Sequence, residues 1–231
     1  MGHHVSDILE QYLYWEKLKA EKEYHSLAWE EKDELRLEND RDAMYYHETV
    51  GLKEEQALYA DTIISFWTLY KRLLELEAGW CAYRTIKSLS RLIFQMNKVR
   101  QNDYTEKIRK VNEKMEPFAE ICYTKGNYML LPDRKMNPFR YQVTEDRIDL
   151  TLYECFGGGA FAPFFQDEQH LKKWIDEQQL SSLFINGEIC RNKIKWFVDE
   201  KHKLISEMNT TEICKYLENA ILLIQERNQS I

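Results

Sequence analysis

The sequence predicts a mainly α protein: a helical bundle with a long N-terminal helical arm and a small extended or β insert near residues 122–143. Three observations predict it. From Val5 to Glu116 only Gly51 and Gly79 interrupt the chain, and no proline occurs. Through that stretch apolar residues recur every three or four positions, the period of a helix with one buried face. All four prolines (Pro117, Pro132, Pro138, Pro163) and the Gly157-Gly158-Gly159 run fall between 117 and 163, which confines irregular backbone to the middle of the chain. The expected division is an arm and bundle over 1–121, then the insert and C-terminal helices over 122–231, packed back on the bundle and open to being one domain with it.

Each element has its own signal. Asp7 followed by Glu10 reads as a capping box, with Ile8, Tyr12 and Trp15 behind it at helical spacing. From there to about Tyr46 the many Glu and Lys residues suit a long or once-broken solvated helix, with Tyr24, Leu27, Leu35, Met44 and Tyr45 as apolar anchors. Ala57, Ala60, Ile64, Trp67 and Leu74 fall near one stripe, which predicts a helix between Gly51 and Gly79. A second is expected from Trp80 to Gln101, with Ile86, Leu89, Ile93 and Met96 inward. Asp103 with Glu106 opens a third, ending at Pro117.

Tyr128 to Leu131, between Gly126 and Pro132, reads as a strand, with a β-hairpin or two expected there. Thr144 is expected to begin a helix that the triple glycine stops, and Asp167 to begin another through Leu171, Trp174 and Ile175. Asn186-Gly187 marks a turn, with Ile189 to Val198 helical after it. The last helix starts at Asn209, with Glu212 at the capping-box position and Ile213, Leu217, Ala220, Ile221 and Ile224 as its buried stripe.

Composition narrows the function. Hydrophobic residues at 44% and charged residues at 31%, with 14 Tyr, 10 Phe and 6 Trp, describe a chain able to bury a core. The five cysteines are widely spaced, with no C-x-x-C pair and no histidine at zinc-ligand spacing, so free thiols in a reducing compartment are expected, and no metal or cofactor. No apolar run of about 18 residues is present to span a bilayer, and the N-terminus lacks a secretory h-region. The expected location is the cytoplasm. The net charge of −7 hides a pattern: residues 1–60 carry 7 basic and 15 acidic side chains, 61–142 carry 15 and 9, and 143–231 carry 10 and 15. A basic middle lies between acidic flanks.

Four groupings are candidates for function. No phosphate-binding G-x-x-x-x-G-K-[ST] pattern occurs, and neither the triple glycine nor Thr124-Lys125-Gly126-Asn127 replaces it. Cys155 falls at an expected helix C-terminus, where the macrodipole opposes a thiolate, so it reads as buried and inert. Arg84, Lys87, Arg91 and Lys98 form a basic stripe suited to nucleic-acid phosphates or an acidic protein, unless the acidic N-terminal arm covers it. Asp61, Ser65, Asn127, Arg147 and Asp149 stand among apolar residues in three short segments, where they suit either a satisfied polar network or a ligand pocket.

Arg41-Asp42-Ala43-Met44-Tyr45-Tyr46-His47 resembles the Arg-x(4–6)-His motif of the HEPN ribonucleases, helical domains of bacterial defence and toxin systems. That resemblance implies a metal-independent ribonuclease in which Arg41 and His47 polarise RNA and move a proton at the 2′-oxygen. A solvated helix face is the alternative for these seven residues. Asp61-Thr62-Ile63-Ile64-Ser65-Phe66, Thr124 to Pro132 and Arg147-Ile148-Asp149-Leu150-Thr151-Leu152 together resemble an uncharacterised bacterial family with D-T-x-x-S-F, T-x-G-N and R-φ-D-L-T-L segments in this order, over roughly 60–155. This likeness implies no activity. The function expected from sequence is therefore a non-enzymatic protein contacting a protein or nucleic acid and no membrane, in bacterial defence or phage conflict. A small-molecule sensor is a third reading.

Overall fold

The computed structural model describes residues 3–28, 31–32, 34–35, 59–99 and 102–230. Its described elements are helical apart from one pair of three-residue strands, so the protein is mainly α. They fall into two compact units, Met1–Leu58 with Leu69–Tyr123, and Tyr59–Thr68 with Thr124–Ile231. Helix α3 (Phe66–Leu73) carries the chain from the second unit to the first.

The first unit is built on helices α1 (Val5–Lys19), α2 (Lys22–Ser26), α4 (Ile86–Met96) and α5 (Asp103–Ala119). Val5, Ile8, Leu9, Tyr12 and Trp15 give α1 one buried stripe, laid against α4 and α5. Thr85 caps α4 by accepting the Ser88 N–H at 3.3 Å, and Asn102 caps α5 by accepting the Thr105 N–H at 2.9 Å. Ile108, Val111, Met115 and Phe118 are the buried side of α5. Beside them the Tyr70 hydroxyl donates to Asn112 at 2.8 Å, and burial, aided by Glu116, holds that phenol well above its ordinary range.

Several boundaries differ from expectation. Helix α1 starts at Val5, and Asp7 lies in its first turn, accepting the His4 N–H at 2.9 Å, so it does not cap with Glu10. Ala60–Thr62 is a strand, and helix follows only from Phe66, where the sequence suggested one helix between Gly51 and Gly79. Residues 80–85 are non-helical, with Trp80 and Ala82 buried, so α4 is shorter than the expected helix. Helix α5 passes Pro117 by two residues, since a proline in the last turn forfeits one hydrogen bond and breaks no later turns.

In the second unit β1 (Ala60–Thr62) pairs antiparallel with β2 (Tyr128–Leu130), Asp61 opposite Met129. The strands lie far apart in sequence, so the pair is not the expected hairpin. Helices α6 (Met136–Thr144), α7 (Ile148–Cys155), α8 (Glu168–Glu177) and α9 (Thr210–Ser230) complete it with short 3₁₀ turns. Asp167 caps α8 as expected, accepting the His170 N–H at 2.7 Å. Asn209 and Glu212 form the capping box of α9 as expected, each side chain accepting the other's N–H, at 3.1 and 2.8 Å. Thr144, expected to begin a helix, instead ends α6. Two left-handed residues, Glu145 (φ 47°) and Asp146 (φ 60°), then separate α6 from α7. Residues 189–198 are not the expected helix but a 3₁₀ turn at Arg191–Lys193 and a Phe184–Ile194 bridge.

Helix α9 packs on the 3₁₀ turn Lys125–Asn127. Only glycine fits at 126, because a Cβ there would overlap the Ile224 carbonyl oxygen and the Asn228 side chain. The Gly126 N–H donates to Asn228 Oδ1 at 2.7 Å, and Asn228 Nδ2 donates to the Thr124 hydroxyl at 2.8 Å. Buried Arg227 donates to the carbonyls of Gly126, Tyr128 (2.9 Å) and Gln178 (2.8 Å).

Candidate functional site

The three polar segments meet in the second unit. Asn127 is fully buried, and its side chain bonds both the N–H (3.0 Å) and the C=O (3.1 Å) of Ile64, extending the β1–β2 ladder after the strands end. Ser65 is not beside it chemically: its hydroxyl accepts the Thr68 N–H at 3.3 Å and starts α3. Asp61 pairs with Arg140, which the sequence reading missed. The Arg140 guanidinium is wholly buried and also donates to the carbonyls of Thr62 (2.9 Å) and Ile63 (3.1 Å) and to the Thr151 hydroxyl (3.4 Å).

Arg147 and Asp149 form a second knot. The guanidinium grips both carboxylate oxygens, at 3.1 and 2.7 Å, and donates to the Lys203 carbonyl, with both side chains fully buried. Asp149 also accepts the N–H groups of Leu150 (2.9 Å) and Phe197 (3.0 Å). Ile148 N–H donates to the Tyr216 hydroxyl at 3.2 Å, and burial holds that phenol far above its ordinary range, with Asp149 adding. Of the five residues proposed as a pocket, the structure thus brings Asp61 and Asn127 to one strand end and Arg147 and Asp149 to one helix start. The buried polar groups are engaged with backbone, the arrangement of a network that fixes loops.

One carboxyl in this region is set apart. Asp146 is pushed up to about 7 by shielding from water, with Arg140 pulling it down and Asp61 and Glu145 pushing it up. Between its ordinary 3.8 and about 7 the folded chain retains a proton that the unfolded chain has released, so this group makes stability fall as pH rises through that window. Asp146→Asn, which keeps a side chain tolerant of left-handed backbone, is expected to shrink the loss of urea midpoint between about pH 4 and about pH 7 relative to the parent. An unchanged difference would show that the carboxyl is not shielded.

The basic stripe belongs to the first unit and divides in two. Arg84 is engaged by α1: its guanidinium lies 4.0 Å from the Tyr12 ring centroid and 3.7 Å from Glu16. Part of the acidic N-terminal region therefore covers this end. Lys87 and Arg91 are exposed, and Lys98 is half-exposed. Among the described residues no carboxylate lies within ion-pair distance of these three. Lys98 lies 5.1 Å from the Phe94 ring centroid and Arg91 6.0 Å from that of Trp80, which packs on Tyr104 at 5.0 Å.

Aromatic rings in the same segment are also exposed. Phe94 is 62% exposed, Tyr83 61% and Tyr104 37%. Lys87, Arg91 and Phe94 are spaced i, i+4, i+7 and so share one face of α4. That spacing was the signal by which Phe94 was open to discovery in the sequence. Residues 80–110 carry 8 basic and 2 acidic side chains, and both acids, Asp103 and Glu106, pair within α5 with Lys107 (2.9 Å) and Arg109 (2.8 Å). This stretch of the chain is basic although the chain as a whole is acidic.

Arg41 and His47 lie outside the described residues. Cys155 is buried, and burial raises its thiol far above the range of a reactive cysteine, opposed by Arg140 and aided by Glu154. All five cysteines are free. Among the described residues no group of three or more His, Cys, Asp or Glu is placed to hold a metal ion, and no helix is long and apolar enough to cross a membrane. No family model, curated protein or solved structure matches the chain.

Proposed function

We propose that this protein works by binding an anionic macromolecule through the exposed face of α4 and the start of α5, without catalysing a reaction on it. The observation that carries this reading is the trio Lys87, Arg91 and Lys98, facing solvent with no carboxylate beside them among the described residues, in a chain whose net charge is −7. Among the described residues other cations are paired with carboxylates, Lys203 with Glu212 at 2.9 Å, Lys215 with Asp199 at 2.9 Å and Arg84 with Glu16 at 3.7 Å. Charge left unneutralised on one face raises the local concentration of an oppositely charged partner and speeds encounter. The second unit's polar residues are taken up in the fold: Asn127, Arg147 and Asp149 hold backbone, and Asp61 pairs with Arg140.

The test is chromatography on heparin resin, a polyanion. At low salt the parent protein is expected to be retained despite its acidic charge, and Lys87→Glu with Arg91→Glu to elute at clearly lower salt. Both residues are exposed, so reversal leaves the fold intact. Flow-through of the parent at low salt would sink the reading.

A further inference from the structure

We infer that the anionic partner is a single-stranded nucleic acid, whose bases stack on Phe94 while Lys87, Arg91 and Lys98 hold its phosphates. The inference rests on the polyanion reading and deepens it.

Charge alone does not choose among polyanions, but the rings do. An acidic protein surface offers carboxylates, and lysines suffice to meet them. Flat, exposed aromatic faces add little to such a contact and much to an unpaired base, since every base presents a π-face whatever its identity. On this face the two chemistries adjoin: Phe94, more than half exposed, follows Lys87 and Arg91 along one row of α4. The Lys98 ammonium lies over one face of the Phe94 ring, 5.1 Å from its centroid, so a base takes the opposite face or displaces the ammonium towards its phosphate.

Duplex is the poorer fit. A helix that reads the major groove presents bidentate donors and acceptors to base edges; Lys87 and Arg91 supply such donors, whereas the exposed Phe94 on the same row supplies none. Stacking on Phe94 requires a base free of its neighbours, as in single strands, loops and bulges. The platform is ordered before any ligand arrives, because Thr85 caps the helix and the Tyr83 N–H donates to the Ser88 hydroxyl at 3.1 Å.

The experiment is fluorescence anisotropy on the full chain with four labelled probes: a short oligouridylate, a short oligothymidylate, a duplex of matching length, and polyglutamate. Both single strands are expected to bind more tightly than duplex or polyglutamate. Phe94→Ala is expected to weaken single-strand binding by about tenfold. Lys87→Glu with Arg91→Glu is expected to weaken binding of every probe and to lower the salt slope for single strands by about 1.4. If heparin and polyglutamate bind, single strands bind no tighter than duplex, and Phe94→Ala changes nothing, the single-strand inference falls while the polyanion reading stands. If no probe binds and heparin does not retain the protein, both fall. Far-ultraviolet circular dichroism identical to the parent's shows that loss of binding in Phe94→Ala is not loss of fold, as its exposure leads one to expect.

Discussion

Arg147→Ala is expected to lower the stability of the fold by about 3–5 kcal/mol, read as a shift of the urea midpoint with an unchanged slope. The size follows from what is left behind. Arg147 and Asp149 are both fully buried, and the guanidinium meets both carboxylate oxygens. Without it the Asp149 carboxylate keeps the N–H groups of Leu150 and Phe197 but loses its countercharge in a site closed to water. The Lys203 carbonyl loses its donor as well. Much of the cost is therefore the stranded partner rather than the lost bond. Arg147→Met with Asp149→Leu, which removes both charges, should recover part of the loss, the rest being held back by the N–H groups of Leu150 and Phe197 that then lose their acceptor. A double variant as weak as the single would show that the pair itself stabilises the fold. An effect of Arg147→Ala below about 1 kcal/mol would mean that the site admits water.

The same pair shows which parts of the molecule could be read from sequence. Arg147 and Asp149 stand two residues apart, so their grouping was visible, and so was the Asn209–Glu212 capping box. Both are local, and local hydrogen bonds leave a spacing in the chain. The strand Tyr128–Leu130 was legible between its glycine and proline, but its partner was not. Ala57, Ala60 and Ile64 matched a helical stripe, and a strand of three residues is too short to show alternation against that signal. Helix α6 was hidden because Pro132 and Pro138 read as irregular backbone. Pro138 is the third residue of that helix, within the first turn, where an N–H has no intrahelical partner to lose.

The candidate face was half legible for a similar reason. Lys87 and Arg91 could be placed on one side of a helix by spacing alone. Whether they face water depends on which helices pack where. Arg84, three residues earlier, is taken up by Tyr12 and Glu16 of α1, whereas Lys87 is free of such cover. Tertiary packing split a stripe that the sequence presents as continuous. Buried arginines are the other blind spot: Arg140 and Arg227 meet backbone carbonyls distant in sequence, and a carbonyl leaves no mark in the identity of its residue.

Arg140→Met is the second large effect expected, about 3–5 kcal/mol, and it should act on one place in the fold. Tyr59, Asp61 and Ile63 face their partners across the ladder, so by antiparallel alternation the Thr62 carbonyl points away from β2. The Ile63 carbonyl is also unclaimed by the ladder, since the Asn127 N–H turns back to Thr124 at 2.9 Å. Arg140 donates to both carbonyls and to Asp61, standing where a third strand would stand. Methionine fills the volume and satisfies none of the three. Hydrogen exchange should then show the amides of Ile63 and Ile64 losing protection more than those of α9, because the opening is local to the β1 edge. Uniform loss of protection across both segments would mean that Arg140 supports the whole unit through α6 rather than holding one strand. Adding Asp61→Asn to Arg140→Met should cost less than the sum of the two single changes, since the carboxylate no longer has a buried cation to answer.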